Sequence, residues 1–107
     1  MDEGRFALSP RSQRTEELQA MDRRYLWHPF TQASEWDSEE ALIVERADGC
    51  WLVDTDGNRY LDGVSSLWVN LHGHRRPELD QAVAEQLGRV AHTTLLGLGS
   101  VPSIELA

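Results

Sequence analysis

Residue type and spacing suggest five kinds of chemistry in this chain, and four of them fail on their surroundings. His72-Gly73-His74 sets two imidazoles about a glycine, but a fixed third metal ligand is missing, because only the distant His28 and His92 remain. The plainer reading is that one ring bonds a carboxylate or a backbone carbonyl while Gly73 permits a tight turn. Ser65-Ser66 offers two hydroxyls, yet no Gly-x-Ser-x-Gly elbow surrounds them and no spacing pairs them with a base. Gly97 and Gly99 lack the third glycine and the lysine of a phosphate-binding loop. Glu35, Asp37, Glu39 and Glu40 form an acidic run with nothing to fix its geometry, so it reads as a wet face and not as a cation site. The fifth chemistry is aromatic. Trp27-His28-Pro29-Phe30 presents two rings in four positions on backbone that Pro29 keeps extended or turning, and Leu67-Trp68 adds a third ring. Such side chains lie on a surface: their own domain, a subunit or a ligand.

The elements that must position these rings flank the stretch Asp62–His74. This stretch alternates apolar and polar residues and spends Leu67, Trp68, Val69 and Leu71 between regular elements, which reads as a pocket wall. Leading into it are Leu42-Ile43-Val44, Cys50-Trp51-Leu52-Val53 and Arg59-Tyr60-Leu61, separated by Asp48-Gly49 and Asp56-Gly57. Apolar β-branched and aromatic runs divided by Asp-Gly pairs predict a three-stranded antiparallel meander, which is marginal until something packs on it. Leading out is a helix expected from Pro77, with Leu79, Val83, Leu87 and Val90 on one stripe and Glu78 and Asp80 in its first turn. Upstream, Met1–Ala20 has no apolar period and reads as a flexible leader, although Thr15 before Glu16 and Glu17 can cap a helix running to about Leu26. Downstream, His92–Ser100 is a Gly-punctuated loop, and Ser103 is expected to cap a helix begun at the last residues. A helix of about one turn does not hold itself together, so the sequence reads as the front end of something longer.

Composition narrows the function classes. The chain has 107 residues, a formal charge of −8, 40% hydrophobic residues and 26% charged ones, a globular balance. That charge argues against nucleic acid as a partner, since phosphate binding needs clustered cations. One cysteine, Cys50, excludes an internal disulfide framework and agrees with a cytoplasmic protein. No apolar run approaches the roughly 20 residues that span a bilayer, so no membrane partner is expected. All ten Lys-plus-Arg residues are arginines.

Trp27-His28-Pro29-Phe30-Thr31-Gln32, then Asp48-Gly49-Cys50-Trp51-Leu52-Val53-Asp54-x-Asp56-Gly57-x-Arg59-Tyr60-Leu61-Asp62-Gly63, then Ser65-Ser66-Leu67-Trp68-Val69-Asn70-Leu71-His72-Gly73-His74 together resemble the start of class III pyridoxal-phosphate aminotransferases. The Asp-x-Asp-Gly-x-x-Tyr-Leu-Asp pattern is shared across the class. The Trp-His-Pro-aromatic-Thr-Gln start with Ser-Ser-x-Trp resembles the branch serving biotin synthesis, which converts 8-amino-7-oxononanoate to 7,8-diaminononanoate. The resemblance covers about Tyr25 to Ala107. It implies an α+β fragment, the N-terminal part of the small domain of a fold type I transferase, spanning residues 21–107 and leading toward a large α/β domain that is absent. It also implies pyridoxal 5'-phosphate as cofactor, a small-molecule amino donor and keto acceptor, and a homodimer. Another class III ω-amino-acid aminotransferase, or a stand-alone module without catalysis, are the alternatives.

Carried over residue by residue, the resemblance makes Phe30, Leu67 and Trp68 substrate-binding residues. The family commonly has Tyr where this chain has Phe30, so a stacking face is kept and a hydroxyl is lost. Relatives that use S-adenosylmethionine have Ser-Ser-Trp-Trp, and here the first tryptophan is Leu67, which leaves lysine as an alternative donor. The loop Thr93–Pro102 resembles a segment that reaches toward a partner subunit. No catalytic or cofactor-binding residue is implied within the chain. Without a lysine it cannot form the imine to the cofactor, and the 107 residues alone are not expected to be active.

Overall fold

The structure, a computed structural model, describes residues 8–36 and 41–107. Residues 1–7 of the expected leader, and Asp37, Glu39 and Glu40 of the acidic run, lie outside the described residues. Contacts divide the chain into two compact units, Met1–His74 and Arg75–Ala107.

The first unit opens with α1, Gln13–Tyr25. Its cap is Ser12, whose hydroxyl accepts the Thr15 amide at 3.2 Å; Thr15 itself stands three residues inside, so the helix starts earlier than expected and takes in residues 13–20. Thr15, Gln19 and Asp22 are its buried residues, spaced four and three apart on one face. That face is polar, and it docks by hydrogen bonds. Thr15 Oγ1 meets Thr55 Oγ1 at 2.7 Å and donates to Asp56 at 2.8 Å, and Gln19 Nε2 donates to the Ala41 carbonyl at 2.6 Å. A single turn, α2, follows at Ala33–Trp36.

Strands β1 (Val44–Asp48), β2 (Trp51–Asp54) and β3 (Arg59–Leu61) form the expected antiparallel meander in the order β1-β2-β3. The first strand lies further along than the apolar run Leu42–Val44. Asp48 pairs with Trp51, so Gly49 and Cys50 are the two loop residues and the strand must run up to Asp48 through polar Glu45 and Arg46. Positive φ at Gly49 and not at Cys50 is the pattern of a II′ hairpin. The register slips between Val44 and Arg46.

The second hairpin is shaped by Asp54. Its Oδ1 accepts the amides of Asp56 and Asn58 at 2.9 and 2.8 Å, and its Oδ2 accepts Asn58 Nδ2 and the Tyr60 hydroxyl at 2.8 and 2.9 Å. Burial pushes this carboxyl up, but the Asn58 side chain, the Asn58 and Asp56 amides and Tyr60 outweigh it and hold the group below its usual range. The Asp-x-Asp-Gly-x-x-Tyr pattern therefore has a structural use here: Asp54 forms the loop, and Asp56 catches α1. Among the described residues the only buried apolar side chains are Ala41 and Val53.

The second unit holds α4, Pro77–Leu87, and α5, Val101–Leu106. Pro77 is the first helical residue, as its sequence predicts. Ser100 caps α5, with Ser103 again three residues inside. Leu79, Val83 and Leu87 remain exposed along α4, and Val90, expected on the same stripe, lies beyond the helix end and is exposed as well.

Candidate functional site

Asp62 ends the meander and begins the wall. Its amide donates to the Cys50 carbonyl at 2.9 Å, which ties it to the first hairpin. Its carboxylate receives three bonds: the Ser66 amide to Oδ1 at 2.7 Å, the Ser66 hydroxyl to Oδ2 at 2.9 Å, and His74 Nε2 to Oδ2 at 2.7 Å. The Ser66 amide first and His74 second keep this carboxyl below its usual range. Asn70 Nδ2 lies 3.2 and 3.4 Å from the two ring nitrogens of His74, whose Nε2 faces the Asp62 carboxylate. His74 is fixed by its backbone as well, exchanging bonds of 2.7 and 3.1 Å with Gly49. Gly73 (φ 81°) permits that approach, because a Cβ there would stand 3.0 Å from the Gly49 carbonyl oxygen. His74 thus bonds a carboxylate beside a glycine turn, the plainer of the two readings of His72-Gly73-His74. Among the described residues no three His, Cys, Asp or Glu side chains gather as metal ligands.

Between these anchors the backbone is unusual. Ser65, Ser66, Leu67 and Trp68 have φ of 50°, 39°, 59° and 72°, four consecutive non-glycine residues in the left-handed region. They make one helical turn, α3 (Ser65–Trp68), closed by Trp68 N–H to Val64 O at 2.7 Å and Val69 N–H to Ser65 O at 3.0 Å. Each such residue costs about 1–2 kcal/mol, so the turn stores strain on the order of several kcal/mol. Strain of this kind persists where its surroundings over-determine it, and it gathers at binding sites.

Phe30 shares the feature, with φ of 52°. It lies two residues after His28, whose Nε2 lies 2.9 and 3.1 Å from the Asp22 carboxylate oxygens and whose ring packs against Trp36 at 4.3 Å between centroids, tilted by 43°. Trp36 Nε1 donates to the same carboxylate at 3.0 Å. Asp22 on α1 therefore pins both ends of the segment that carries Phe30. All three residues expected at a substrate site stand outward on left-handed backbone: Phe30 is fully exposed, Trp68 83% and Leu67 61% exposed. They belong to two separate segments. Phe30 stands beside a cavity of about 60 Å³ lined by Leu26, Trp27, His28 and Trp36, and the turn stands beside one of about 220 Å³ lined by Cys50, Asp62, Asn70 and His74. Neither cavity is lined by Phe30, Leu67 or Trp68.

Asp62 and Asp22 are the site residues that motif reading passes over, whereas a carboxylate partner for one histidine of His72-Gly73-His74 is expected from the sequence. The one signal was the place of Asp62 four residues before Ser66, within reach of a turn.

The class-III aminotransferase family profile matches residues 32–107. The chain belongs to the class-III aminotransferase family. It is 62% identical over 94 residues to the adenosylmethionine-8-amino-7-oxononanoate aminotransferase of Nitratidesulfovibrio vulgaris, a match covering 88% of this chain and 17% of that protein. The enzyme of that name from Staphylococcus aureus is 52% identical, over 87% of this chain and 21% of that protein. The crystal structure of the enzyme of that name from Methanocaldococcus jannaschii superposes with a TM-score of 0.82 at 48% identity, covering 85% of this chain and 21% of that one. An (S)-enantioselective omega-transaminase from Thermomicrobium roseum superposes at 0.81 with 41% identity, covering 91% of this chain and 22% of that one. The chain thus spans about a fifth of the length of these class-III relatives, and its helix, three-stranded meander and helix are the part of their fold that it contains.

Pyridoxal phosphate, the cofactor of this class, does not fit the residues present. The chain has no lysine for an imine. The polar groups around Asp62 are satisfied by one another, and among the described residues no buried side-chain nitrogen or oxygen lacks a partner. These residues form a wall and not a cofactor cradle. No helix among the described residues is long and apolar enough to cross a membrane.

Proposed function

We propose that this chain supplies part of the substrate wall of an aminotransferase of biotin synthesis, one that moves an amino group onto 8-amino-7-oxononanoate to give 7,8-diaminononanoate. The observation that carries the reading is the strained, outward presentation of Phe30, Leu67 and Trp68, within a chain 62% identical over 94 residues to a protein with that name. Exposed rings on fixed backbone lose little freedom on meeting a ligand, which makes them effective recognition surfaces. Pyridoxal 5'-phosphate, the cofactor of the class, would be held by residues outside these 107 and would supply the electron sink that amino transfer needs. The acting form is a homodimer working on small-molecule donor and acceptor.

The donor is S-adenosylmethionine or lysine. Leu67 retains an apolar face but offers no indole for stacking, which weakens the case for a large aromatic donor. A class-III enzyme using simple ω-amines is the second reading, favoured by Leu67 and by the likeness to an omega-transaminase at 41% identity.

The test is an assay of the full-length protein with 8-amino-7-oxononanoate and, in turn, S-adenosylmethionine, lysine and a simple primary amine. The reading expects 7,8-diaminononanoate from one of the first two donors. Turnover of the simple amine with pyruvate and none of 8-amino-7-oxononanoate would replace it with the second reading.

A further inference from the structure

Left-handed turns of ordinary residues do not persist unaided, because each Cβ crowds the following carbonyl oxygen. The group that grips Ser65–Trp68 from outside is Asp62. One carboxylate holds the backbone and the side chain of the same turn residue, through the Ser66 amide at 2.7 Å and the Ser66 hydroxyl at 2.9 Å. The carboxylate is itself fixed from two directions. The Asp62 amide is bonded to Cys50 of the hairpin, and His74, bridged by its backbone to Gly49, closes on Oδ2 at 2.7 Å. Asp62 is thus seated on the rigid meander and reaches out to the strained turn, with 3% of its side chain exposed.

We propose that Asp62 is a positioning residue of this site: seated by His74, it holds Ser65–Trp68 in the left-handed form and so sets how Leu67 and Trp68 face the amino substrate. The clamp stands on geometry alone, and its effect on substrate rests on the function proposed above. The backbone has two discrete alternatives. With the clamp it is left-handed; without it, ordinary residues return to the right-handed or extended regions, which redirects the side chains of Leu67 and Trp68.

Two readouts on the full-length protein separate the clamp from the function. The first is amide hydrogen exchange over a peptide spanning residues 64–71, which needs no substrate. In Asp62→Ala, exchange there speeds by about tenfold or more while a peptide over β2 is unchanged. The second is steady-state kinetics: KM for 8-amino-7-oxononanoate rises about fivefold or more with kcat little changed, as expected when a binding surface is displaced. Ser66→Ala keeps the amide bond to Asp62 and falls between the wild type and Asp62→Ala in both. Unchanged exchange over 64–71 in folded Asp62→Ala overturns the proposal. Faster exchange with unchanged KM supports the clamp and overturns the assignment of Leu67 and Trp68 to the substrate wall. Where Asp62→Ala does not fold, Asp62→Asn and Ser66→Ala take its place, and unchanged exchange in both overturns the proposal equally.

Discussion

Asp62 and His74 lie twelve residues apart in sequence and meet at 2.7 Å, and the segment between them contains the strained turn. The contact closes the stretch Asp62–His74 into a loop whose base is bonded to the first hairpin. That base lets an irregular segment carry bulky apolar side chains outward without collapsing onto the sheet.

The closure depends on Gly73. Its φ of 81° is strained for any side chain, and a methyl group there would press on the Gly49 carbonyl oxygen at 3.0 Å. Gly73→Ala is expected to destabilise the protein by about 1–3 kcal/mol. Denaturant unfolding measures the loss; a midpoint equal to the wild type would show that the bridge between Gly49 and His74 contributes nothing.

Asp54 and Tyr60 give a graded pair of variants. Tyr60→Phe removes one of four bonds to the carboxylate and should cost about 1 kcal/mol, whereas Asp54→Ala removes all four and should cost about 2–3 kcal/mol. The pH dependence has a definite sign. Asp54 and Asp62 both titrate below the usual 3.8, so their contribution is complete above that value and is lost as pH falls through the lowered folded values. Stability measured between pH 6 and 2 should therefore drop in the acid limb, and Asp54→Asn should flatten that drop. A parallel profile for Asp54→Asn would contradict the assignment.

Asp22 should matter to Phe30 although it does not touch it. Asp22→Ala frees both His28 and Trp36, and the segment that carries Phe30 loses its two anchors. In the full-length enzyme KM should rise about three- to tenfold while kcat stays within about twofold. A fall in kcat at constant KM would place Asp22 in a different role.

Leu67 is the position at which the donor should be adjustable. Leu67→Trp restores an indole, and one aromatic stack is worth about 0.5–1.5 kcal/mol, so use of S-adenosylmethionine relative to lysine should improve by about two- to tenfold in kcat/KM. Equal kinetics with both donors before and after the change would remove Leu67 from donor choice.

Parts of this architecture are legible in the sequence because single residues enforce them. Asp-Gly pairs at 48–49 and 56–57 dictate hairpins, and Pro77 dictates a helix start. The caps are harder. Ser12 with Thr15, and Ser100 with Ser103, are hydroxyl pairs three residues apart, and either member resembles a cap. Extended backbone decides for the first, with ψ of 155° at Ser12 and 148° at Ser100. The buried face of α1 carries no apolar period, because Thr15, Gln19 and Asp22 are polar. The left-handed turn is the least legible feature: Ser65-Ser66-Leu67-Trp68 contains no glycine or asparagine to announce positive φ, and the group that holds it lies outside the turn. Phe30, Leu67 and Trp68 stand out through family resemblance, while the positive φ that they share has no signature in the residue types.

The most direct test of the substrate wall is KM for 8-amino-7-oxononanoate in the Trp68→Ala variant of the full-length enzyme. Removing an exposed indole from a recognition surface should raise KM by about tenfold or more, in line with the share that a buried aromatic anchor carries at a binding site. A wild-type KM in Trp68→Ala, with normal kcat, would mean that the strained turn faces something other than substrate.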